Sequence, residues 1–150
     1  MNYKNVIAAL LLPLLLVPAA QASSRAERLA QFEKFASAPV PQFRYFNMTG
    51  FETLSDDTVA VWTRVNEAYL IKVRQPCPNF DFAQAISLSN SQAHVVSARF
   101  DAVSFDGGRC MIESIRPVDY KAMRKAEQAA KAAKADAAGS AQAGQAAGGL

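Results

Sequence analysis

The sequence predicts an α+β protein in which about six antiparallel strands form a curled sheet or an open barrel. Between residues 43 and 119, apolar and polar side chains alternate in short segments, and turn-forming residues separate these segments. A short helical pattern precedes this β-rich domain, and a basic, alanine-rich stretch follows it. We therefore expect a short N-terminal helix, a sheet domain and a basic C-terminal helix.

Residues 1–22 have the pattern of a secretory signal peptide. Lys4 supplies a positive charge before an apolar run of about a dozen residues, and Ala20-Gln21-Ala22 places small residues before a cleavage site. A membrane-spanning helix needs about 20 residues, and no lipobox cysteine follows the run. We expect cleavage before Ser23, periplasmic or secreted localisation, and no stable membrane insertion after signal cleavage.

Residues 23–42 are predicted to form a short helix followed by a proline-containing linker. Ser24 and Glu27 have the spacing of a capping box, in which each side chain satisfies a backbone N–H of the other residue. Two prolines near position 40 then favour extended chain.

The β-rich domain, residues 43–119, contains six segments that read as strands. They are residues 43–48, 51–54, 59–64, 69–74, 95–105 and 109–115. Asp81 is expected to cap a brief helical turn, and residues 87–93 are expected to form a polar loop.

The most regular alternation runs from Val95 to Phe105, which predicts one continuous strand. Asp106-Gly107-Gly108 follows it and is typical of a tight hairpin turn. On such a strand Arg99 and Asp101 would share the polar face and could pair at the surface, an interaction worth at most about 1 kcal/mol.

Residues 120–150 are predicted to form a basic, alanine-rich helix and a disordered tail. The helix is expected from Tyr120 to about Ala135, because alanine, lysine and arginine have high helical propensity. From Gly139 onward the composition is of low complexity, which favours disorder.

Cys77 and Cys110 are the only cysteines, and the sequence predicts that they form a disulfide. Two cysteines in an exported chain usually pair, and the chain has no Cys-x-x-Cys motif. The alternative is two buried thiols. Closing the loop between them would stabilise the fold by roughly 3–4 kcal/mol.

The charge distribution argues against a nucleic-acid partner. The chain has a net charge of +3, but its β-rich domain contains more acidic than basic residues. The excess of basic residues lies in the C-terminal stretch, so no continuous basic face is expected.

The side chains offer little catalytic chemistry. His94 is the only histidine, and it has no partner motif in the neighbouring sequence. We therefore predict no catalytic residues, no metal ligands and no cofactor. The residues that could form a binding face are aromatic, although packing within the sheet would also explain them. They are Phe43, Tyr45, Phe46, Trp62 and Tyr69.

Several short patterns resemble a known family. They are Val59-Ala60-Val61-Trp62-Thr63, Tyr69-Leu70, Cys77, Phe100-Asp101, Cys110 and Ile115-Arg116-Pro117-Val118-Asp119. They are similar to a family of small exported proteins of gammaproteobacteria, of the Xanthomonas and Lysobacter kind, which is known only as a domain of unknown function. The resemblance covers roughly residues 43–119 and implies a bacterial, periplasmic setting and a recurrent cysteine pair. It implies no activity.

These observations predict a non-enzymatic periplasmic binding or accessory module of the cell envelope. Its expected partner is an envelope protein, a peptide or a glycan. The alternative is a small periplasmic hydrolase or an enzyme inhibitor, which would require a pocket that holds His94 beside a carboxylate or a serine.

Overall fold

A computed structural model of the protein describes residues 18–146, with side chains from residue 24 to residue 137. Residues 1–17 of the predicted signal peptide, and residues 147–150, lie outside the described residues. The helices are α1 (Pro18–Phe35) and α2 (Tyr120–Ala146), and a 3-10 helix spans Phe80–Phe82. The strands are β1 (Gln42–Arg44), β2 (Gly50–Thr53), β3 (Thr58–Arg64), β4 (Glu67–Val73), β5 (Ile86–Leu88), β6 (Val95–Ser97), β7 (Ala102–Phe105) and β8 (Gly108–Val118).

Six of the strands form one antiparallel, nearly closed sheet in the order β2-β3-β4-β8-β7-β5. This confirms the predicted α+β class and the helix on either side of the sheet in sequence. β1 and β6 pair only with each other, as a two-stranded antiparallel ribbon in which Gln42 lies opposite Ser97 and Arg44 opposite Val95. We call this pair the ribbon.

The sheet separates two hydrophobic cores, because side chains alternate between its faces. One core lies between the sheet and the ribbon and includes Val61, Ile71, Val96, Val103 and Ile112. The other core lies under the two helices and includes Phe32, Leu54, Ala60, Leu70 and Met123. Arg28 of α1 joins both helices to the sheet. Its guanidinium pairs with Glu52 of β2 and with Glu127 of α2.

The predicted continuous strand from Val95 to Phe105 is wrong. The structure divides it into β6 and β7, with a turn at which Arg99 has a φ of 70°. Asp101 is 1% exposed, and its carboxylate accepts hydrogen bonds from serine groups instead of pairing with Arg99 at the surface. Local hydrogen bonding by an aspartate competes with a strand ladder, which explains the break.

Other element boundaries also differ from the prediction. The strand expected at residues 43–48 is reduced to the three residues of β1, and β5 occupies part of the predicted loop at residues 87–93. α1 begins at Pro18, so Ser24 lies within the helix rather than at its start. The alanines between Pro18 and Ser24 have high helical propensity, which favours helix ahead of Ser24.

The C-terminal helix is longer than predicted. It continues past Ala135 and past Gly139 to Ala146. The alanines around the glycines favour helix strongly enough to carry the backbone through them.

The structure joins Cys77 and Cys110 in a disulfide, as the sequence predicts. Cys77 follows β4 and Cys110 lies in β8, and both are buried. Among residues 18–146, no helix has both the length and the apolar character that crossing a membrane requires.

Candidate functional site

A β-bulge in the middle of β8 shapes the largest cavity described for this protein. Ile112 and Ser114 pair with consecutive residues of β4, so Glu113 is an extra residue without a partner opposite it. As a result, Ile112 and Ile115 are both buried in the same core although they are three positions apart. Glu113 and Ser114, the two residues between them, both line the cavity. Bulges often redirect side chains next to functional sites.

The cavity has a volume of about 870 Å³ and lies between β8 and the ribbon. Glu113 and Ser114 lie on its β8 side, and the other boundaries are residues 39–42, the loop at residues 91–92, residues 97–100, and Arg74 at the end of β4. We call it the bulge groove. Its lining combines three charged side chains, Arg74, Arg99 and Glu113, with the exposed aromatic ring of Phe100.

The buried carboxylate of Asp101 holds one wall of the bulge groove. It accepts hydrogen bonds from the backbone N–H groups of Ser91 (2.7 Å) and Ser97 (2.8 Å). It also accepts from the hydroxyls of Ser89 (3.1 Å) and Ser91 (3.2 Å). These bonds attach the loop before β6 and the end of β6 to the same carboxylate. The turn that carries Arg99 is therefore held in place from within.

A second wall segment, residues 39–42, is extended, and backbone hydrogen bonds attach it to its neighbours. The N–H of Val40 donates to the carbonyl of Ile115 (2.8 Å), and the N–H of Ala98 donates to the carbonyl of Pro41 (2.8 Å). Both walls are thus fixed by backbone groups. The walls of the groove are therefore in place without a ligand.

Two arginines flank β8 at the level of the bulge. The backbone N–H of Arg74 donates to the carbonyl of Met111 (2.8 Å), and that of Arg99 donates to the carbonyl of Ile112 (2.7 Å). Since neighbouring strands lie about 4.8 Å apart, the two Cα atoms are roughly 10 Å apart across β8. Neither guanidinium hydrogen-bonds or ion-pairs with any residue whose side chain is described.

Phe100 adds an apolar contact beside these charges. Its side chain is 74% exposed, the largest exposure among the aromatic residues described. The neighbouring Asp101 fixes its position, because the backbone N–H of Asp101 donates to the carbonyl of Ser97 (3.0 Å). A rigid turn therefore presents an arginine and a phenylalanine side by side.

The five aromatic residues predicted as a binding face do not share one face. Trp62 packs under the helices, with its ring centroid 5.8 Å from that of Phe32. Phe43 is buried on the other side of the sheet and stacks on Tyr69 at 4.1 Å. The reason is the register of β3 and β4: Val61 lies opposite Tyr69, so Trp62 points to the opposite face.

Tyr45 and Tyr69 are also part of the core rather than of a groove. Tyr45 packs edge-on against Phe43, with their ring centroids 6.3 Å apart. Burial raises the pKa of the Tyr69 phenol, and the hydrogen bond that it donates to Glu67 (2.7 Å) raises it further. Tyr69 therefore acts as a neutral hydrogen-bond donor. Phe46, the fifth residue, is 61% exposed.

Phe46 lies at the far end of the ribbon and stacks on His94, with a ring-centroid distance of 4.7 Å. A second, smaller cavity of about 310 Å³ adjoins this pair. The imidazole of His94 has no carboxylate or serine partner among the side chains described. Residues 18–146 contain no group of three or more histidine, cysteine, aspartate or glutamate side chains placed to hold a metal ion.

Sequence reasoning missed the residues that line the bulge groove, namely Arg74, Arg99, Phe100 and Glu113. One signal was available for the bulge. Ile112-Glu113-Ser114-Ile115 interrupts the alternation with two successive polar residues, as an inserted residue in a strand would. No local pattern indicated that Arg74 and Arg99 flank the same strand.

Comparison with known proteins gives one match. The sequence profile of a family of unknown function (DUF6491) matches residues 2–134 of the chain. No curated protein and no solved structure matches it. The resemblance to a domain of unknown function is thus confirmed, and any function must be inferred from the geometry above.

Proposed function

The chain belongs to a family of unknown function (DUF6491), and we propose that it is a non-enzymatic periplasmic binding module of the cell envelope. Its ligand lies in the bulge groove and is an extended peptide segment that carries carboxylates. One observation supports this above the others, which is the pair of guanidiniums in the groove that have no partner among the described side chains.

The two arginines favour an acidic ligand. A guanidinium presents several N–H donors in a planar fork that matches the two oxygens of a carboxylate. Both side chains are exposed at the groove wall. Here Glu113 is the only acidic residue that lines the groove, and it pairs with neither Arg74 nor Arg99. The donors of both arginines are available to a ligand.

The remaining groups favour a peptide over a small anion. Phe100 offers an apolar surface beside Arg99, and residues 39–42 form an extended wall along the cavity. The Glu113 carboxylate can accept a hydrogen bond from a ligand amide N–H, and the Ser114 hydroxyl can donate to or accept from a ligand amide. A peptide supplies carboxylates, amides and apolar side chains together.

The groove supports binding rather than catalysis. His94, the only histidine, does not line it. The groove's titratable groups are two arginines and Glu113, and no described group lies beside Glu113 as a paired acid or base. No observation on the described residues favours the alternative of a hydrolase or an enzyme inhibitor.

The signal-peptide pattern at residues 1–22 and the disulfide support the envelope setting. Disulfides persist in oxidising compartments such as the periplasm.

The affinity for an acidic peptide is expected to depend on both arginines. The probe is the acetylated, amidated pentapeptide Ala-Glu-Ala-Glu-Ala, titrated by calorimetry into the purified protein. Arg74→Ala and Arg99→Ala should each weaken binding by about 5- to 30-fold, which corresponds to about 1–2 kcal/mol for a lost charge-assisted hydrogen bond. Arg25→Ala, at an exposed arginine of α1 outside the groove, is the matched control and should leave the affinity unchanged.

The same titration tests whether affinity depends on the charges of the groove and of the peptide. Because Glu113 repels a purely acidic peptide, Glu113→Gln should bind the probe more tightly than the original chain does. The peptide in which glutamine replaces both glutamates should bind far more weakly. Equal affinity for the two peptides, or full affinity in the variant that lacks both arginines, would contradict the proposal.

A further inference from the structure

We propose that the ligand of the bulge groove carries an ammonium group between two carboxylates. This inference rests on the proposed function and names the class of peptide. It is an extended segment in which an acidic, a basic and a second acidic side chain occupy alternate positions. Three charged side chains that line the groove support it, namely Arg74, Arg99 and Glu113.

The bulge in β8 places Glu113 between the two arginines. The backbone N–H of Arg74 donates to the carbonyl of Met111 (2.8 Å), and that of Arg99 donates to the carbonyl of Ile112 (2.7 Å). Carbonyls of consecutive strand residues point to opposite edges of the strand, so the arginines lie on opposite sides of β8. Glu113 is the next residue along β8 and, as the extra residue of the bulge, has no partner on β4. The groove therefore presents a positive, a negative and a positive group in order across β8.

The Glu113 carboxylate is available to a ligand. Its side chain is exposed, and it forms no hydrogen bond or ion pair with any residue whose side chain is described. Lys72 of β4 lies opposite Ser114, the residue that follows Glu113. The ammonium of Lys72, however, pairs with Asp57 (3.3 Å). The cation of the neighbouring strand is thus already used, and a ligand can supply the missing one.

A peptide with an internal ammonium complements all three groups of the groove. Alternate side chains of an extended chain lie on one face, so residues i, i+2 and i+4 reach the groove together. They span about 13 Å, against roughly 10 Å between the Cα atoms of the two arginines, whose long side chains cover the difference. An ammonium at the central position donates hydrogen bonds to Glu113. A neutral group there leaves Glu113 to repel the two flanking carboxylates.

Net charge distinguishes this ligand from a peptide that is merely acidic. Two guanidiniums and one carboxylate give the groove a net positive charge, which two carboxylates and one ammonium match with a net negative charge. A basic surface such as that of α2 attracts the more negative of two peptides. Tighter binding of the less acidic peptide is therefore a result that the lysines of α2 do not produce.

The test compares three acetylated, amidated pentapeptides by calorimetry with the purified full chain. They are Glu-Ala-Lys-Ala-Glu, Glu-Ala-Gln-Ala-Glu and Lys-Ala-Glu-Ala-Glu. The first should bind about 3- to 5-fold more tightly than the second, the size expected of one ion pair near a protein surface. It should also bind more tightly than the third, which has the same composition but carries its ammonium at one end.

Glu113→Gln separates ligand recognition from support of the fold. In this variant the lysine peptide Glu-Ala-Lys-Ala-Glu should bind more weakly than it does to the original chain, and the glutamine peptide more tightly, so the preference disappears. A structural role of Glu113 would weaken the binding of both peptides. Glu33→Gln, at an exposed glutamate of α1 outside the groove, is the matched control and should keep the preference of the original chain.

The outcomes also separate this inference from the proposed function. Equal affinity for the lysine and glutamine peptides, lost for both in the variant without Arg74 and Arg99, would overturn the ammonium and leave the acidic-peptide site in place. Equal affinity for the two isomeric peptides would overturn the central position of the ammonium. A preference that survives Glu113→Gln, or weaker binding of both peptides in that variant, would overturn the role of Glu113. Absence of binding by all three peptides would overturn both proposals.

Discussion

Replacing Asp101 with alanine is expected to lower the free energy of unfolding by about 2–4 kcal/mol and to abolish peptide binding in the bulge groove. The carboxylate is 1% exposed and accepts four hydrogen bonds, two of them from backbone N–H groups. Without it, the N–H groups of Ser91 and Ser97 lose their partner. Each unsatisfied buried group costs about 1–3 kcal/mol, and neighbouring losses are not additive.

The binding loss follows from the same contacts. Asp101 holds both ends of the segment that carries Arg99 and Phe100, so that segment should become mobile in Asp101→Ala. Asp101→Asn keeps one acceptor oxygen and should lose less stability than alanine does. Urea denaturation measures the stability, and Asp136→Ala, an exposed aspartate on α2, is the control, expected within about 0.5 kcal/mol. A loss below about 1 kcal/mol in Asp101→Ala would show that the wall does not depend on this carboxylate.

Removing the disulfide is expected to cost about 3–4 kcal/mol of stability. Cys77 and Cys110 are 33 positions apart in sequence, and the bond restricts the unfolded chain over that whole loop. The loop contains β5, β6 and β7, which includes half of the ribbon and one wall of the bulge groove. Typical domains have a total stability of about 5–15 kcal/mol, so this contribution is large.

Thermal unfolding with and without a thiol reductant measures the effect. Reduction should lower the melting temperature markedly, and the Cys77→Ala/Cys110→Ala variant should melt near the reduced protein and respond no further to the reductant. Thiol titration of unfolded, unreduced protein should detect no thiol. An unchanged melting temperature on reduction would contradict the stabilising role of the bond.

The central sheet could be predicted from the sequence because the alternation of side chains along each strand is visible within a few consecutive residues. Val59, Val61, Ile71 and Val73 alternate with residues that belong to the opposite face, and the structure buries the two sets in different cores. The cysteine pairing could be predicted as well, because the chain has only two cysteines and no Cys-x-x-Cys motif.

The break between β6 and β7 could not be predicted in the same way. Alternation from Val95 to Phe105 is regular, and only tertiary contacts show that Asp101 is buried. Ser89 and Ser91 lie about ten residues before it, on the far side of β6. Side chains that meet through a loop leave no periodic signal. An aspartate within an apolar strand pattern is the one local hint, since aspartate is depleted in strands.

The bulge groove could not be predicted from the sequence, because its residues also come together only through tertiary contacts. Arg74 and Arg99 are separated by a long stretch of chain, and they come together only because β8 accepts a backbone hydrogen bond from each of them. The five aromatic residues do not form one face because the pairing register of β3 and β4 directs their side chains to both sides of the sheet. Whether Trp62 and Tyr69 share a face depends on how β3 pairs with β4, and composition carries no information on that pairing.

The most direct test of the binding proposal is to map the amide chemical shifts of the labelled protein during titration with the acidic pentapeptide. The groove predicts that saturable shifts concentrate at Val40, at Gln42 and at residues 97–100 and 112–114, and that the variant lacking both Arg74 and Arg99 loses them. The competing surface is α2, whose lysines would attract any acidic peptide through charge alone. Shifts confined to α2, or no saturable shifts, would contradict the assignment of the groove as the ligand site.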